Sequence, residues 1–197
     1  MLKKNFFISI IFLIFFIQNS YSFYNKEKVT INYIKEILIK TNSLSFDFRQ
    51  KINDKVEVGS CLVKYPKLMH CYYDNKAEKE LISDGYTFAI YKKKYNKIYL
   101  YPLITLTLNH LLNKEFILKQ LTPNNHKQLK IKDEVIEFEV YNKKQKIIVL
   151  LSRETKDLLG WKTTDIFQND VEFVVYDVKK NVPIEESEFK IPKIKND

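Results

Sequence analysis

Histidines and a serine-containing turn are the first places to look for chemistry in this 197-residue chain. His70, His110 and His126 lie far apart, and no His-x-x-x-His or Cys-x-x-Cys spacing accompanies them, so the sequence predicts no metal site. The stretch Ser83-Asp84-Gly85 is typical of a hairpin turn rather than of an activated nucleophile. Because we find no convergent cluster of polar residues, we predict a protein that is not an enzyme and needs no cofactor.

The two cysteines, Cys61 and Cys71, flank a segment with Pro66 at its centre. If this segment is a hairpin centred on Pro66, the cysteines oppose each other on neighbouring strands. Directly opposed Cβ atoms lie about 4.5–5.5 Å apart, somewhat farther than the mean Cβ separation of a disulfide. The sequence therefore leaves two alternatives open, a cross-strand disulfide and two buried thiols.

The N-terminal residues 1–22 have the pattern of a cleavable secretory signal. Two lysines precede an apolar run at residues 6–17, and Ser20 and Ser22 put small side chains where cleavage before Phe23 requires them. A retained membrane anchor is the alternative, but a spanning helix needs about 20 apolar residues and this run is shorter. No cysteine stands at the end of the run, where a lipid could be attached, so we expect an exported, unlipidated protein with one domain over residues 23–197.

The formal net charge of +9 suggests anionic partners at first sight. Most lysines, however, alternate with acidic residues, as in the stretch of residues 130–134. We therefore interpret the charge as a solvated surface and expect no nucleic-acid partner.

Residue periodicity predicts the elements that must position any site. Lys26 to Lys40 has an apolar helical stripe of Ile31, Ile34 and Leu38. A second, short helix is predicted from Leu103 to Leu112. Strand-like runs occupy residues 44–52, 56–63, 68–73, 80–83, 87–91, 128–131, 135–141, 146–152, 159–167 and 171–178. We therefore predict nine or ten antiparallel strands in a large curved sheet whose apolar face is covered by the helices.

Several short motifs in this order resemble the LolA family of periplasmic outer-membrane lipoprotein carrier proteins. They are Leu44-Ser45-Phe46-Asp47-Phe48-Arg49-Gln50, the segment from Gly59 to Met69, Leu81-Ile82-Ser83-Asp84-Gly85, Leu159-Gly160-Trp161 to Asp165, Asn169, and Phe189-Lys190-Ile191-Pro192. Each motif is short, but their order and spacing cover nearly all of residues 23–197.

The resemblance implies an α+β fold, a half-open antiparallel β-barrel with a helical lid. It also implies a carrier that takes lipoproteins from an inner-membrane release complex, shields their acyl chains and passes them to an acceptor anchored in the outer membrane. Such a carrier would act as a monomer in the periplasm. The side chains expected to line the acyl-chain cavity are Ile34, Leu38, Leu44, Phe46, Phe48, Val63, Met69, Cys71, Tyr73, Leu108 and Leu111.

One position departs from the family pattern. Where the family has an arginine that fastens the closed lid by hydrogen bonds, this chain has Tyr65. Tyrosine donates one hydrogen bond and lacks the guanidinium fork, so the resemblance implies a lid-fastening position whose mechanism must differ here. The alternative function is a periplasmic sensor or scaffold module that uses the same half-barrel to bind a protein partner.

Overall fold

The computed structural model describes residues 28–122, 129–142, 145–164 and 168–193. The predicted signal at residues 1–22 lies outside this part of the chain, as does His126. In the described ranges, no helix has the length and apolar character needed to cross a membrane.

One antiparallel sheet of eleven strands dominates the fold. The strands are β1 Ser43–Ile52, β2 Lys55–Lys64, β3 Leu68–Tyr73, β4 Lys79–Asp84, β5 Thr87–Lys92, β6 Lys97–Pro102, β7 Leu129–Lys132, β8 Val135–Asn142, β9 Gln145–Ser152, β10 Leu158–Thr164 and β11 Asp170–Lys180. Their order is β6-β5-β4-β3-β2-β1-β11-β10-β9-β8-β7, so β6 and β7 are the edges and the sheet does not close into a barrel. The predicted fold class, an incomplete antiparallel barrel with helices, is confirmed.

Alternation of apolar and polar residues explains why one face of this sheet is buried. In β1, Leu44, Phe46 and Phe48 are buried, whereas the residues between them are partly exposed. Successive side chains of a strand point to opposite faces, so these three side chains share the concave face. The turn predicted at Asp84-Gly85 is also confirmed, because β4 ends at Asp84 and β5 begins at Thr87.

The sheet has eleven strands where nine or ten were predicted, and the strand that the prediction omitted is the edge strand β6. Its segment, Lys97–Pro102, pairs with β5 along its whole length. Most of its side chains are exposed, and Ile98, Tyr99, Leu100 and Tyr101 form an uninterrupted apolar and aromatic run. Such a segment lacks the polar alternation from which a half-buried strand is predicted.

The helices differ from the prediction in the middle of the chain. Helix α1 includes residues 28–40, as predicted for the described part of that segment. The single helix predicted from Leu103 to Leu112 is instead a 3-10 turn, Leu103–Thr105, followed by the short helix α2, Leu108–Leu111. A further helix that was not predicted, α3, spans Lys114–Gln120.

The helices cover the concave face over two connected apolar clusters. Ile31 and Ile34 of α1 are buried with side chains of β8 and β9. Leu103 and Leu112, on either side of α2, are buried against β1, β2 and β3. Leu158 and Trp161 of β10 pack against both clusters, so the helices and the sheet enclose one continuous apolar interior.

Candidate functional site

An apolar cavity of about 290 Å³ lies between the concave face of the sheet and the helices. Of the eleven side chains predicted to line it, ten do so: Ile34, Leu38, Leu44, Phe46, Val63, Met69, Cys71, Tyr73, Leu108 and Leu111. They come from α1, β1, β2, β3 and α2. The sheet and both helical covers therefore contribute to one apolar surface.

Phe48 is the exception, because it is not among the side chains that line this cavity. Its side chain is fully buried beneath the cavity. The centre of its ring lies 4.8 Å from the centre of the Tyr73 ring and 4.6 Å from the centre of the Phe173 ring. The Phe173 ring stacks in turn on Trp161, at 4.0 Å. Four aromatic rings thus form a continuous row across β3, β1, β11 and β10, and Phe48 is a packing residue of that row.

Gly59 on β2 provides the space for Phe48. It is the register partner of both Phe48 and Tyr73 on the neighbouring strands. A Cβ atom on Gly59 would lie 2.8 Å from Phe48 Cζ and 1.9 Å from the backbone oxygen of Tyr72. A side chain at this position is therefore incompatible with the row of rings.

The two cysteines form a bridge across β2 and β3 in the cavity wall. Cys61 and Cys71 are register partners, and their sulfur atoms are bonded at 2.00 Å. Both residues are buried and line the cavity. The bridge lies where the sheet faces the helical cover.

Sequence reasoning missed many of the lining residues, most of them from the second half of the chain. The additional apolar lining residues are Ile37, Leu81, Leu112, Ile117, Leu121, Phe138, Val149, Leu151, Leu158, Trp161, Phe173 and Val178. Phe138, Val149, Leu151 and Phe173 lie on buried alternating positions of predicted strands, and that alternation was the available signal. Ile117 lies on α3, the helix that was not predicted.

The cavity also has a small polar border made by Lys156, Asp157 and Lys180. Asp157 and Lys180 form an ion pair. Partial burial works to raise the pKa of Asp157, but the hydrogen bond and the charge of Lys180 outweigh it, so that pKa is lowered. Asp157 and Lys180 therefore neutralise each other. Lys156 donates to the backbone oxygens of Arg153 and Glu154. Apart from Thr41 and Gln50, the rest of the lining is apolar or aromatic.

The turn between β2 and β3 connects both helical covers to the sheet. The Tyr65 backbone N–H donates to the Asn42 oxygen just after α1, at 2.9 Å. The Lys67 backbone N–H donates to the Leu112 oxygen at the end of α2, also at 2.9 Å. The partly buried Tyr65 side chain lines the cavity, and burial raises its pKa to about 12.

Lys114 adds a second connection between the covers. From the first turn of α3, its Nζ atom donates to the backbone oxygens of Thr41 at 2.9 Å and Ile39 at 3.3 Å. It also lies 5.4 Å from the centre of the Tyr65 ring. A cation is stabilised by the exposed carbonyls at the C-terminus of a helix, so Lys114 fastens α3 to the end of α1.

The apolar lining of this cavity can bind apolar groups by burying them. The described residues hold no group of His, Cys, Asp or Glu that could bind a metal ion. Burying a methylene group in an apolar cavity is worth about 0.8 kcal/mol. The site is thus suited to hydrocarbon chains.

A family model described as "Outer membrane lipoprotein carrier protein LolA" matches residues 39–192. The match begins at the end of α1 and includes all eleven strands. No curated protein matches the sequence.

Solved structures with a similar chain path share little sequence. An uncharacterized conserved protein from Thermus thermophilus is 9% identical with a TM-score of 0.50, over 84% of this chain and 94% of that chain. A LolA superfamily protein from Nitrosomonas europaea is 10% identical with a TM-score of 0.43, over 83% and 97%. The MucA/MucB complex of Pseudomonas aeruginosa includes a chain 13% identical with a TM-score of 0.48, over 85% and 61%. At such identities the likeness concerns the fold alone.

Proposed function

The chain belongs to the LolA family of outer membrane lipoprotein carrier proteins, and we propose that it shields the acyl chains of lipoproteins and carries them between membranes. Membership supports a lipoprotein-binding or lipoprotein-sorting domain in a family of non-enzymatic carriers. The finer proposal is a periplasmic shuttle, exported with cleavage before Phe23, whose residues 23–197 form one domain. Its partners are an inner-membrane release complex and an anchored outer-membrane acceptor, and it works as a monomer.

The observation that carries this proposal is the apolar cavity between the concave face of the sheet and the two helical covers, α1 and the α2–α3 segment. Its wall combines side chains of α1, α2, α3 and the sheet, and its charged residues are confined to one border. Transfer of an acyl chain into water costs about 0.8 kcal/mol of free energy per methylene group, so lipoproteins need such a shield to cross an aqueous space.

The volume of the cavity supports a carrier that opens. About 290 Å³ lies just below the range of about 300–1,000 Å³ for small-ligand pockets. A cavity of this volume is too small for a lipid with several acyl chains. Loading therefore requires α1 or the α2–α3 segment to move away from the sheet. A cover held by a few hydrogen bonds can shift between two populated positions.

We test the proposal with Phe46→Glu, a substitution in the cavity wall. The protein and its variants are isolated from their native compartment, and co-purifying proteins are identified by mass spectrometry. We expect acylated lipoproteins with the unmodified protein and at least a tenfold loss with Phe46→Glu, because a carboxylate in the wall excludes hydrocarbon.

The matched control is Val58→Glu, which places the same charge at an exposed position of the neighbouring strand β2. It should keep the lipoproteins. Absence of lipoproteins from the unmodified protein contradicts the carrier function. Retention of one protein partner that carries no acyl chain would instead favour the sensor or scaffold alternative.

A further inference from the structure

The β5–β6 hairpin at one edge of the sheet exposes an unusual amount of apolar and aromatic surface. We call this surface the β6 edge and define it by the side chains of Tyr86, Tyr99, Leu100, Tyr101 and Ile104 together with the turn at residues 92–97. Tyr86 is 87% exposed, Ile104 is 77% exposed and Leu100 is 57% exposed. None of these residues lines the cavity, so the proposed carrier function does not account for them.

The β6 edge is also strongly basic at one end. Residues 92–97 contain four lysines and no acidic residue. Lys93, Lys94 and Lys97 are exposed, and Lys92 Nζ lies 5.5 Å from the centre of the Tyr99 ring. The turn is held in place by hydrogen bonds from the Lys93 N–H to the Glu78 oxygen and from the Lys94 N–H to the Ala77 oxygen, at 3.3 and 3.4 Å.

The centre of the strand, between Lys97 and Pro102, lacks the charges that usually protect a sheet edge. Proteins commonly place charges within exposed edge strands to prevent unwanted pairing. In β6 the side chains between Lys97 and Pro102 are all apolar or aromatic. Among the described strands, β6 pairs with β5 alone and ends the sheet, so a partner docking on its outer side would meet tyrosines, aliphatic side chains and lysines together.

From this combination we infer that the β6 edge docks on the surface of a membrane containing anionic phospholipid. Tyrosine side chains favour the boundary between hydrocarbon and headgroups. Lysines close to a membrane surface are attracted by its anionic headgroups. Protein–protein interfaces, by contrast, are depleted of lysine, which makes a protein the poorer fit.

The test is sedimentation of the purified protein with vesicles of pure phosphatidylcholine or of phosphatidylcholine mixed with phosphatidylglycerol. We expect binding only to the vesicles that contain phosphatidylglycerol, with weaker binding as salt is added. The double variant Lys93→Glu/Lys94→Glu should reduce the apparent affinity at least about tenfold, since it removes two favourable charges and adds two unfavourable ones.

The control is Lys51→Glu/Lys179→Glu, which makes the same change in net charge at exposed positions on β1 and β11, away from the β6 edge. It should retain binding within about twofold of the unmodified protein. A second variant, Leu100→Ser/Ile104→Ser, should lose the binding that persists at high salt.

Three results would overturn the inference: no binding to phosphatidylglycerol vesicles, equal binding to pure phosphatidylcholine, or equal losses in the test and control double variants. The first would leave a protein as the partner of the β6 edge. Because the cavity is not part of this surface, Lys93→Glu/Lys94→Glu should still co-purify with lipoproteins. Vesicle binding and acyl-chain binding can therefore fail independently.

Discussion

Lys114 and Tyr65 together show how single residues hold the helical cover over the cavity. Lys114 donates to carbonyl oxygens at the end of α1, while the backbone of Tyr65 donates to Asn42 in the same region. The ammonium group lies over the Tyr65 ring and supplies the positive charge that tyrosine lacks. Cover fastening thus involves two residues from different segments.

We predict that Lys114→Met loosens the cover. The methionine keeps the apolar stem but removes the donor, so the free energy of unfolding should fall by about 1–2 kcal/mol. A fluorescent fatty-acid probe should bind faster, because α1 and α3 separate more readily. Stopped-flow binding and urea denaturation measure the two effects. The control, Lys119→Met at an exposed site of the same helix, should change neither; equal effects in both variants would rule out the role of Lys114.

The buried environment of Tyr65 predicts a loss of stability in alkali. Its pKa is raised from 10.0 in the unfolded reference to about 12 in the folded protein by burial. Between these two values the unfolded chain releases the phenolic proton while the folded chain keeps it, so stability falls as the pH rises from 10 to 12. Below pH 10 the contribution is fully present.

Denaturation as a function of pH measures this effect. Tyr65→Phe should lessen the decrease across the window by about 1–2 kcal/mol. Part of the decrease should remain, because burial also raises the pKa of Tyr73. An identical pH profile for the variant would show that Tyr65 titrates as it does in the unfolded chain.

Residue types alone could identify most of the cavity wall formed by the sheet. They could not identify the contacts that hold the helical cover over it. The alternation in β1 and β3 distinguishes inward from outward side chains, so Phe46, Met69 and Tyr73 could be assigned. It cannot separate a side chain that lines a cavity from one packed beneath it, which is where the structure places Phe48. The contact of Lys114 with Thr41 joins residues 73 positions apart, and no local pattern encodes it.

At the scale of elements, residue alternation predicted the strands that bury one face. It did not predict edge strand β6 or the short helix α3. Edge strand β6 has little buried surface and therefore little alternation. Helix α3 is only seven residues long. Its signal was Asn113, whose side-chain oxygen accepts a hydrogen bond from the Phe116 N–H at 3.2 Å as an N-cap.

We predict that Gly59→Ala disrupts the packing of β2 against its neighbours. The new methyl group would meet both the Phe48 ring and the Tyr72 backbone oxygen, and a backbone atom cannot move aside cheaply. The free energy of unfolding should fall by about 1–3 kcal/mol, as for an overpacked core. Ser60→Ala at the next position is the control and should have little effect. A Gly59→Ala protein as stable as the original would contradict the role of the glycine.

At the scale of the whole molecule, the open sheet has two distinct apolar surfaces. One is the concave face beneath the helical covers, and the other is the β6 edge. The concave face encloses a cavity of about 290 Å³, so the proposed carrier function requires the cover to open before several acyl chains can enter. The β6 edge lies outside that cavity and presents lysines and tyrosines. A carrier that opens at its cover and docks at its edge can exchange a lipid without releasing it into water.

The central claim, that the cavity binds lipoprotein acyl chains, is tested most directly by complex formation with a purified lipoprotein. The protein is mixed with a triacylated lipoprotein as detergent is removed, and the products are separated by gel filtration. The same lipoprotein with its acylated cysteine replaced by serine is the control. We predict a soluble complex with the acylated form alone. Equal binding of both forms, or aggregation of the acylated form without a complex, would contradict the account.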